Sequence, residues 1–226
     1  MQLEALHKFG LGRGVYSVRE ASRLTGVSAQ RIRGWLAGYT NERRPKRILV
    51  GDYQREDGRL QLSFQDLVEI RFVNAFLSLG VSWPELRAAS RKASEALHTP
   101  HPFLAMKFRT DGRRIFLDAT DATGDRRLLH LRKDQYVFQQ VFGPALKNLE
   151  VDGNEIRKWW PLGPKKSIVI DPSRCFGRPV AKDSGVPADI LADMASVASI
   201  SETAKWFDVN PVEVRHALEF RTIFAA

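Results

Sequence analysis

The 226-residue sequence predicts an α+β chain, mainly α, with a pair of short capped helices near each end and a small antiparallel β region between them. Three observations carry this reading. Two S-x-x-E capping boxes, Ser17 to Glu20 and Ser199 to Glu202, each open a short apolar-periodic segment. Turn signals at Asp57-Gly58 and Thr110-Asp111-Gly112 separate short apolar runs, as hairpins require. Glycine and proline cluster between residues 151 and 187, where helical periodicity lapses.

The first pair spans residues 16–36, YSVREASRLTGVSAQRIRGWL. Ser17 and Glu20 cap a helix running to Leu24. Gly26 stands where a helix end favours positive φ. Ser28 caps a second helix whose Ile32, Trp35 and Leu36 share one apolar stripe. Its outward positions hold Gln30, Arg31 and Arg33 and no acid. A helix that buries one stripe and presents amide and guanidinium groups on the other suits a DNA major groove. The pair therefore reads as a helix-turn-helix, with Ser28, Gln30, Arg31 and Arg33 as candidate DNA contacts.

Downstream lies the basic run Arg43, Arg44, Pro45, Lys46 and Arg47, followed by Ile48-Leu49-Val50 and Leu60-Gln61-Leu62. The two apolar runs are expected to pair as a wing hairpin, with Arg43, Arg44, Lys46 and Arg47 on phosphates. Charge supports this. Residues 1–60 hold 12 Lys/Arg against 6 Asp/Glu, residues 61–150 hold 13 against 10, and residues 151–226 hold 10 against 10. The excess falls from +6 through +3 to 0 within a net charge of +9, so positive charge concentrates around the helix-turn-helix.

Ser63 opens a helix from Phe64 to Leu79 that Gly80 ends, and Ser82, Pro84 and Glu85 start another reaching Leu97. The chain breaks at His98-Thr99-Pro100-His101-Pro102. Apolar runs at 103–108, 114–117 and 128–131 then predict a small sheet, followed by a helix from Asp134 to Val141. Later come a strand at 167–170, a helix at 188–197 and a second helix pair starting at Ser199 and Asn210. On the last helix Glu213, Arg215, His216, Glu219 and Arg221 are expected outside. That balanced set suits a protein partner better than phosphate. The domains follow: 1–97 for DNA, 98–150 as a small β/α region for dimerisation, 151–167 as linker, and 168–226 for docking a partner.

Enzymatic readings find little footing. Asp118, Asp121 and Asp125 do not match a calcium loop, since Thr120 and Ala122 occupy alternate positions. His98-x-x-His101 lies beside prolines with no cysteine near it, and His130 stands apart. No phosphate-cradling glycine loop or nucleophile elbow occurs. The expectation is no enzyme, no cofactor and no metal. A single cysteine, Cys175, excludes an intramolecular disulfide, and no segment reads as a membrane span or signal peptide. A cytoplasmic protein is expected.

Residues 15–95 resemble the MerR-like winged helix, above all in LSFQDLVEIRFVNAFLSLGVSWPELR after the helix-turn-helix. The resemblance ends at His98 to Pro102, where MerR regulators continue into a long dimerising coiled coil. Residues 168–220 resemble a small bacterial domain found in VapB-type antitoxins. Ile168, Asp171, Pro172, Gly177, Arg178, Pro179, Val186 and Pro187 match its pattern, while Lys182-Asp183-Ser184-Gly185 replace its usual R-G-T-R. Together the two look like the larger antitoxins of that class.

That resemblance implies a PIN-like ribonuclease toxin as partner, its carboxylates holding Mg²⁺ or Mn²⁺. It implies that the chain blocks the toxin and, with it, represses its own operon. A homodimer would read an inverted-repeat operator and join the toxin in a higher-order complex. Candidate toxin contacts pair cations with apolar anchors: Arg157 with Trp159 and Trp160, Arg178 in its Gly-Arg-Pro-Val loop, and Arg221 with Phe220 and Phe224. Trp159 and Trp160 could instead stack bases, although tryptophans serve more readily as interface anchors. The competing function is a MerR-like, effector-responsive transcriptional regulator. An excisionase-like recombination accessory is a third.

Overall fold

Side-chain caps set the register of both helix pairs in the computed structural model, which describes residues 12–38, 47–53, 59–78, 80–104, 145–152 and 155–224. The molecule is mixed helix and sheet, mostly helical, and forms two units. One comprises residues 17–147. The other comprises residues 1–16 together with 148–226.

The N-terminal unit opens with strand β1 (Tyr16–Ser17), helix α1 (Val18–Thr25) and helix α2 (Ala29–Ala37). The Ser17 hydroxyl accepts from the Glu20 N–H at 3.2 Å, and the Glu20 carboxylate accepts from the Ser17 N–H at 2.7 Å. The expected capping box is present. Gly26, at φ 71°, closes α1, and the Ser28 hydroxyl accepts from the Arg31 N–H to start α2. Ala21, Ile32 and Trp35 are sealed from solvent, so the two helices cross over small and apolar groups.

After α2 the Trp35 carbonyl accepts two N–H groups, from Ile48 at 2.9 Å and from Leu49 at 3.0 Å. Both side chains are buried. This departs from the expected wing: residues 48–50 form no strand, and β2 (Gln61–Leu62) pairs with β1. The reason is that Ile48 and Leu49 spend their N–H groups on a helix end rather than on a ladder. The turn Asp57-Gly58 lies outside the described residues, as do Arg43, Arg44 and Lys46. Helix α3 (Phe64–Ser78) starts from a box in which Ser63 and Asp66 cap each other, and α4 (Trp83–Leu97) follows. Phe64, Leu67, Ile70, Val73 and Phe76 fill the interior at helical spacing. The expected sheet at 103–131 and the helix at 134–141 fall almost wholly outside the described residues.

The C-terminal unit corrects one expectation. Residues 151–167, read as linker, contain strand structure. β3 (Leu149–Asp152) and β4 (Glu155–Trp159) form a hairpin, and β5 (Ile168–Ile170) and β6 (Pro179–Ala181) extend it into an antiparallel sheet of order β3-β4-β5-β6. β4 half-buries Ile156 and buries Trp159 at its end, and its register against β3 shifts between Glu150 and Val151. The exposed Glu155 and Arg157 and the half-buried Lys158 made the segment read as polar. Helices α5 (Ala188–Val197), α6 (Ile200–Phe207) and α7 (Pro211–Phe224) pack on this sheet. Ile168, Ala181, Leu191, Ala192, Ala204, Val214 and Ala217 form their common core. The capping box at Ser199 and Glu202 is present as expected.

This unit also takes in residues from the start of the chain. The Val15 N–H donates to the Phe176 carbonyl at 2.9 Å, and the buried Tyr16 hydroxyl donates to the Gly177 carbonyl at 2.8 Å. Gly177 has φ +79°, and a β-carbon there would lie 2.3 Å from the Tyr16 oxygen. Both the backbone and the ring therefore require glycine. Gly177→Ala should lower unfolding stability by at least about 2 kcal/mol, through left-handed strain plus overpacking. Tyr16→Phe should cost about 1 kcal/mol, the net value of one buried hydrogen bond. Urea denaturation of the full chain checks both, and equal losses would contradict the steric argument.

Candidate functional site

The outward face of α2 carries the residues expected to read DNA. Ser28, Gln30, Arg31 and Arg33 are exposed, while Ile32, Gly34, Trp35 and Leu36 are buried beneath them. The Arg31 guanidinium lies over the Trp35 ring at 5.1 Å from its centroid, a cation–π contact that restricts its rotamers. Trp35 in turn meets Trp83 edge-on at 5.8 Å. Arg47 is exposed just before the buried Ile48. A cleft of about 740 Å³ bounded by Arg47, Ile48, Val50, Arg87 and Arg91 lies in the same unit.

Sequence reasoning missed the most unusual chemistry of this unit. The His101 ring, expected in a polar loop, is buried between two carboxylates: Nδ1 lies 3.0 Å from Glu69 and Nε2 lies 3.0 Å from Asp52. Glu69 also accepts from the Phe103 N–H at 3.1 Å. Asp66 completes the group, its Oδ2 accepting from the N–H groups of Ser63 and Asp52. Burial lowers the affinity of His101 for its proton, but the bonds and charges of Asp52 and Glu69 outweigh it and push its pKa up to about 10. Burial raises Asp66 to about 7 and raises Glu69 as well, against the opposing pull of His101. No local spacing signals this cluster, because its members come from three segments. Asp118, Asp121, Asp125 and His130 lie outside the described residues.

In the C-terminal unit most of the proposed contact residues are already engaged. Arg157 pairs with Glu155 at 2.9 Å and Asp152 at 3.7 Å. Trp159 is buried, which corrects its reading as an exposed anchor, and the Trp160 indole donates to Glu150 at 3.1 Å. Arg178 pairs with Asp189, and Arg221 with Asp193 at 3.3 Å. Phe220 stacks on Phe224 at 4.8 Å, both rings partly exposed. Glu213 is also corrected: it is buried, and it accepts from the N–H groups of Asp183 and Ser184. The large apolar side chains left open in this unit are others: Val197 at 81%, Trp206 at 61%, Ile223 at 56%, Phe176 at 51% and Ile190 at 37%.

Residues 16–92 match the model of the MerR HTH family of regulatory proteins. Over nearly its whole length the chain is similar to a Mycobacterium tuberculosis protein named as the candidate antitoxin VapB45. The two are 26% identical over 224 residues, covering 91% of this chain and 92% of the relative. Among solved structures it is similar to the crystal structure of Rv2018 from the same organism. That match has a TM-score of 0.66 and 25% identity, over 90% of this chain and 96% of that one. The matching family is one of regulatory proteins, and the sequence relative carries the name of an antitoxin. No helix among the described residues is long and apolar enough to cross a membrane.

Removing one member of the buried group should be costly. Glu69→Ala leaves the His101 ring and the Phe103 N–H without their acceptor, and should lose about 3–5 kcal/mol of unfolding stability in urea. A loss under about 1 kcal/mol would contradict the assignment of Glu69 as a buried partner that the group depends on.

Proposed function

We propose that this chain is a DNA-binding antitoxin: its N-terminal unit reads an operator, and its C-terminal unit docks and neutralises a PIN-like ribonuclease toxin. The observation that carries the reading is the acid-free outer face of α2, with Gln30, Arg31 and Arg33 exposed over a sealed apolar stripe. A helix of that kind can enter a major groove, Arg reaching guanine edges while neighbouring cations neutralise phosphates. The MerR match over residues 16–92 and the name of the VapB45 relative support the two halves of the assignment.

The docking half rests on the apolar side chains that α5, α6 and α7 leave in solvent, chiefly Val197, Trp206 and Ile223. Such side chains gain most by burial against a partner. Arg178 and Arg221 stand on the same unit, each already beside a carboxylate, and would have to exchange Asp189 and Asp193 for toxin groups to enter a metal-binding cleft. The chain acts as a homodimer on an inverted repeat, two recognition helices about 34 Å apart reading the half-sites. A second reading, an effector-responsive regulator, is favoured by the arginine-lined cleft beside Arg47, Arg87 and Arg91, which suits an anionic ligand.

Binding to DNA from upstream of the chain's own gene tests the first half. Arg31→Ala or Arg33→Ala should each cost roughly 1–3 kcal/mol and relax preference at one base pair. Arg47→Ala should weaken all sequences alike and flatten the salt dependence. Identical losses with an unchanged salt slope for all three would refute this division of labour. For the second half, the full chain is co-expressed with the ribonuclease encoded beside it. Restored growth that is lost on Trp206→Ala or Ile223→Glu supports docking by this face, and restored growth indifferent to both overturns it.

A further inference from the structure

We infer that Asp52, Asp66 and His101 form a binding site for a divalent transition-metal ion of the zinc class, with Glu69 orienting the histidine from behind. One carboxylate oxygen from each aspartate and one ring nitrogen of His101 lie within 4.8 Å of one another. Asp52 Oδ1 and His101 Nε2 are 3.0 Å apart, close to the ~3.3 Å between two ligands of a tetrahedral zinc with bonds of about 2.0–2.1 Å. One imidazole and two carboxylates offer three ligand atoms of the N and O types that zinc accepts, which leaves a fourth position for water.

Two independent observations point to a cation rather than to an ordinary ion pair. Asp66 is sealed, yet its Oδ1 has no hydrogen-bond partner among the described residues. A buried carboxylate oxygen left unpaired is expensive, and a metal ion relieves that cost. The second observation is the environment of His101. Glu69 accepts at Nδ1, which fixes the ring and directs Nε2 toward Asp52. A carboxylate behind a histidine whose other nitrogen faces further carboxylates is the second-shell arrangement of metal-ligating histidines. Asp52, Asp66 and Glu69 crowd a single imidazole, and a divalent ion in place of protons lets all three stay ionised. A divalent ion replaces the Nε2 proton, which leaves to solvent, and balances the remaining carboxylates better than one proton can. Entry is from the side of Asp52, the most exposed of the three.

Bound there, the ion fastens the segment before residue 53 to α3 and to the corner at Thr99 to Phe103. The corner is otherwise held by the Ser94 hydroxyl on the Thr99 carbonyl and by the Phe103 N–H on Glu69.

The test uses the full chain, stripped with a chelator, exchanged into chelator-free buffer and titrated with zinc chloride by calorimetry and with cobalt chloride by absorption. One equivalent should bind with micromolar affinity or better, raise the melting temperature, and give the visible bands of tetrahedral cobalt. His101→Gln and Asp66→Asn should each weaken binding at least a hundredfold. Glu69→Gln, which touches no metal, should weaken it about 10- to 100-fold. Circular dichroism establishes which variants fold; if His101→Gln does not, Asp66→Asn and the cobalt spectrum decide. Absence of binding by the wild-type chain, octahedral cobalt bands alone, or affinity unchanged in the folded variants would overturn the assignment.

Discussion

One imidazole ring ties together three stretches of the N-terminal unit that the sequence keeps far apart. Asp52 comes after α2 in the chain, Glu69 sits in the middle of α3, and His101 lies beyond the end of α4. Apolar burial alone would let these segments slide, because hydrophobic contact has no direction. Hydrogen bonds from both ring nitrogens do have direction, and a buried charge group tolerates few alternative partners. The exposed face of α2 depends on the same construction. Near its end the Trp35 carbonyl holds both Ile48 and Leu49, whose chain leads directly to Asp52.

The C-terminal unit is organised on a different principle. Its core consists largely of alanines and a few branched side chains, so helices and sheet approach closely and little volume is left for large groups. Larger side chains such as Phe207, Leu218 and Phe220 pack around this centre, while Val197, Trp206 and Ile223 stand exposed. Polar anchoring occurs at the edges: Glu213 holds the Asp183-Ser184 turn, His216 accepts from the Ser167 N–H, and Lys166 pairs with Glu219 at 2.7 Å. The charges of α7 are mostly occupied with their own unit. A partner would therefore meet apolar side chains with few uncommitted charges among them.

What was legible in the sequence was whatever is written locally. The capping boxes at Ser17 and Ser199, the glycine closing α1 and the spacing of Phe64, Leu67 and Ile70 each lie within a few residues, and the helices stand where these signals place them. The exposed face of α2 was legible too, since burying Ile32 and Trp35 forces Arg31 and Arg33 outward. What was not legible depends on residues meeting across long separations. β4 reads as polar because charged residues fill its outward positions, and only its pairing with β3 and β5 makes it a strand. Ile48 to Val50 has the composition of a strand, but a nearby helix end claims its N–H groups first. His101 beside two prolines looked like a loop residue because its carboxylates lie 32 and 49 positions earlier.

The contact between Tyr16 and Gly177 joins residues 161 positions apart. It also has a meaning in time. A ribosome releases Tyr16 early and Gly177 late, so the first residues made belong to the last unit completed. Residues 17–147 can finish folding while Val15 and Tyr16 still wait for Phe176 and Gly177. A nascent chain therefore has its N-terminal half before it has a closed C-terminal half. Truncated products of this gene would keep the first and lack the second.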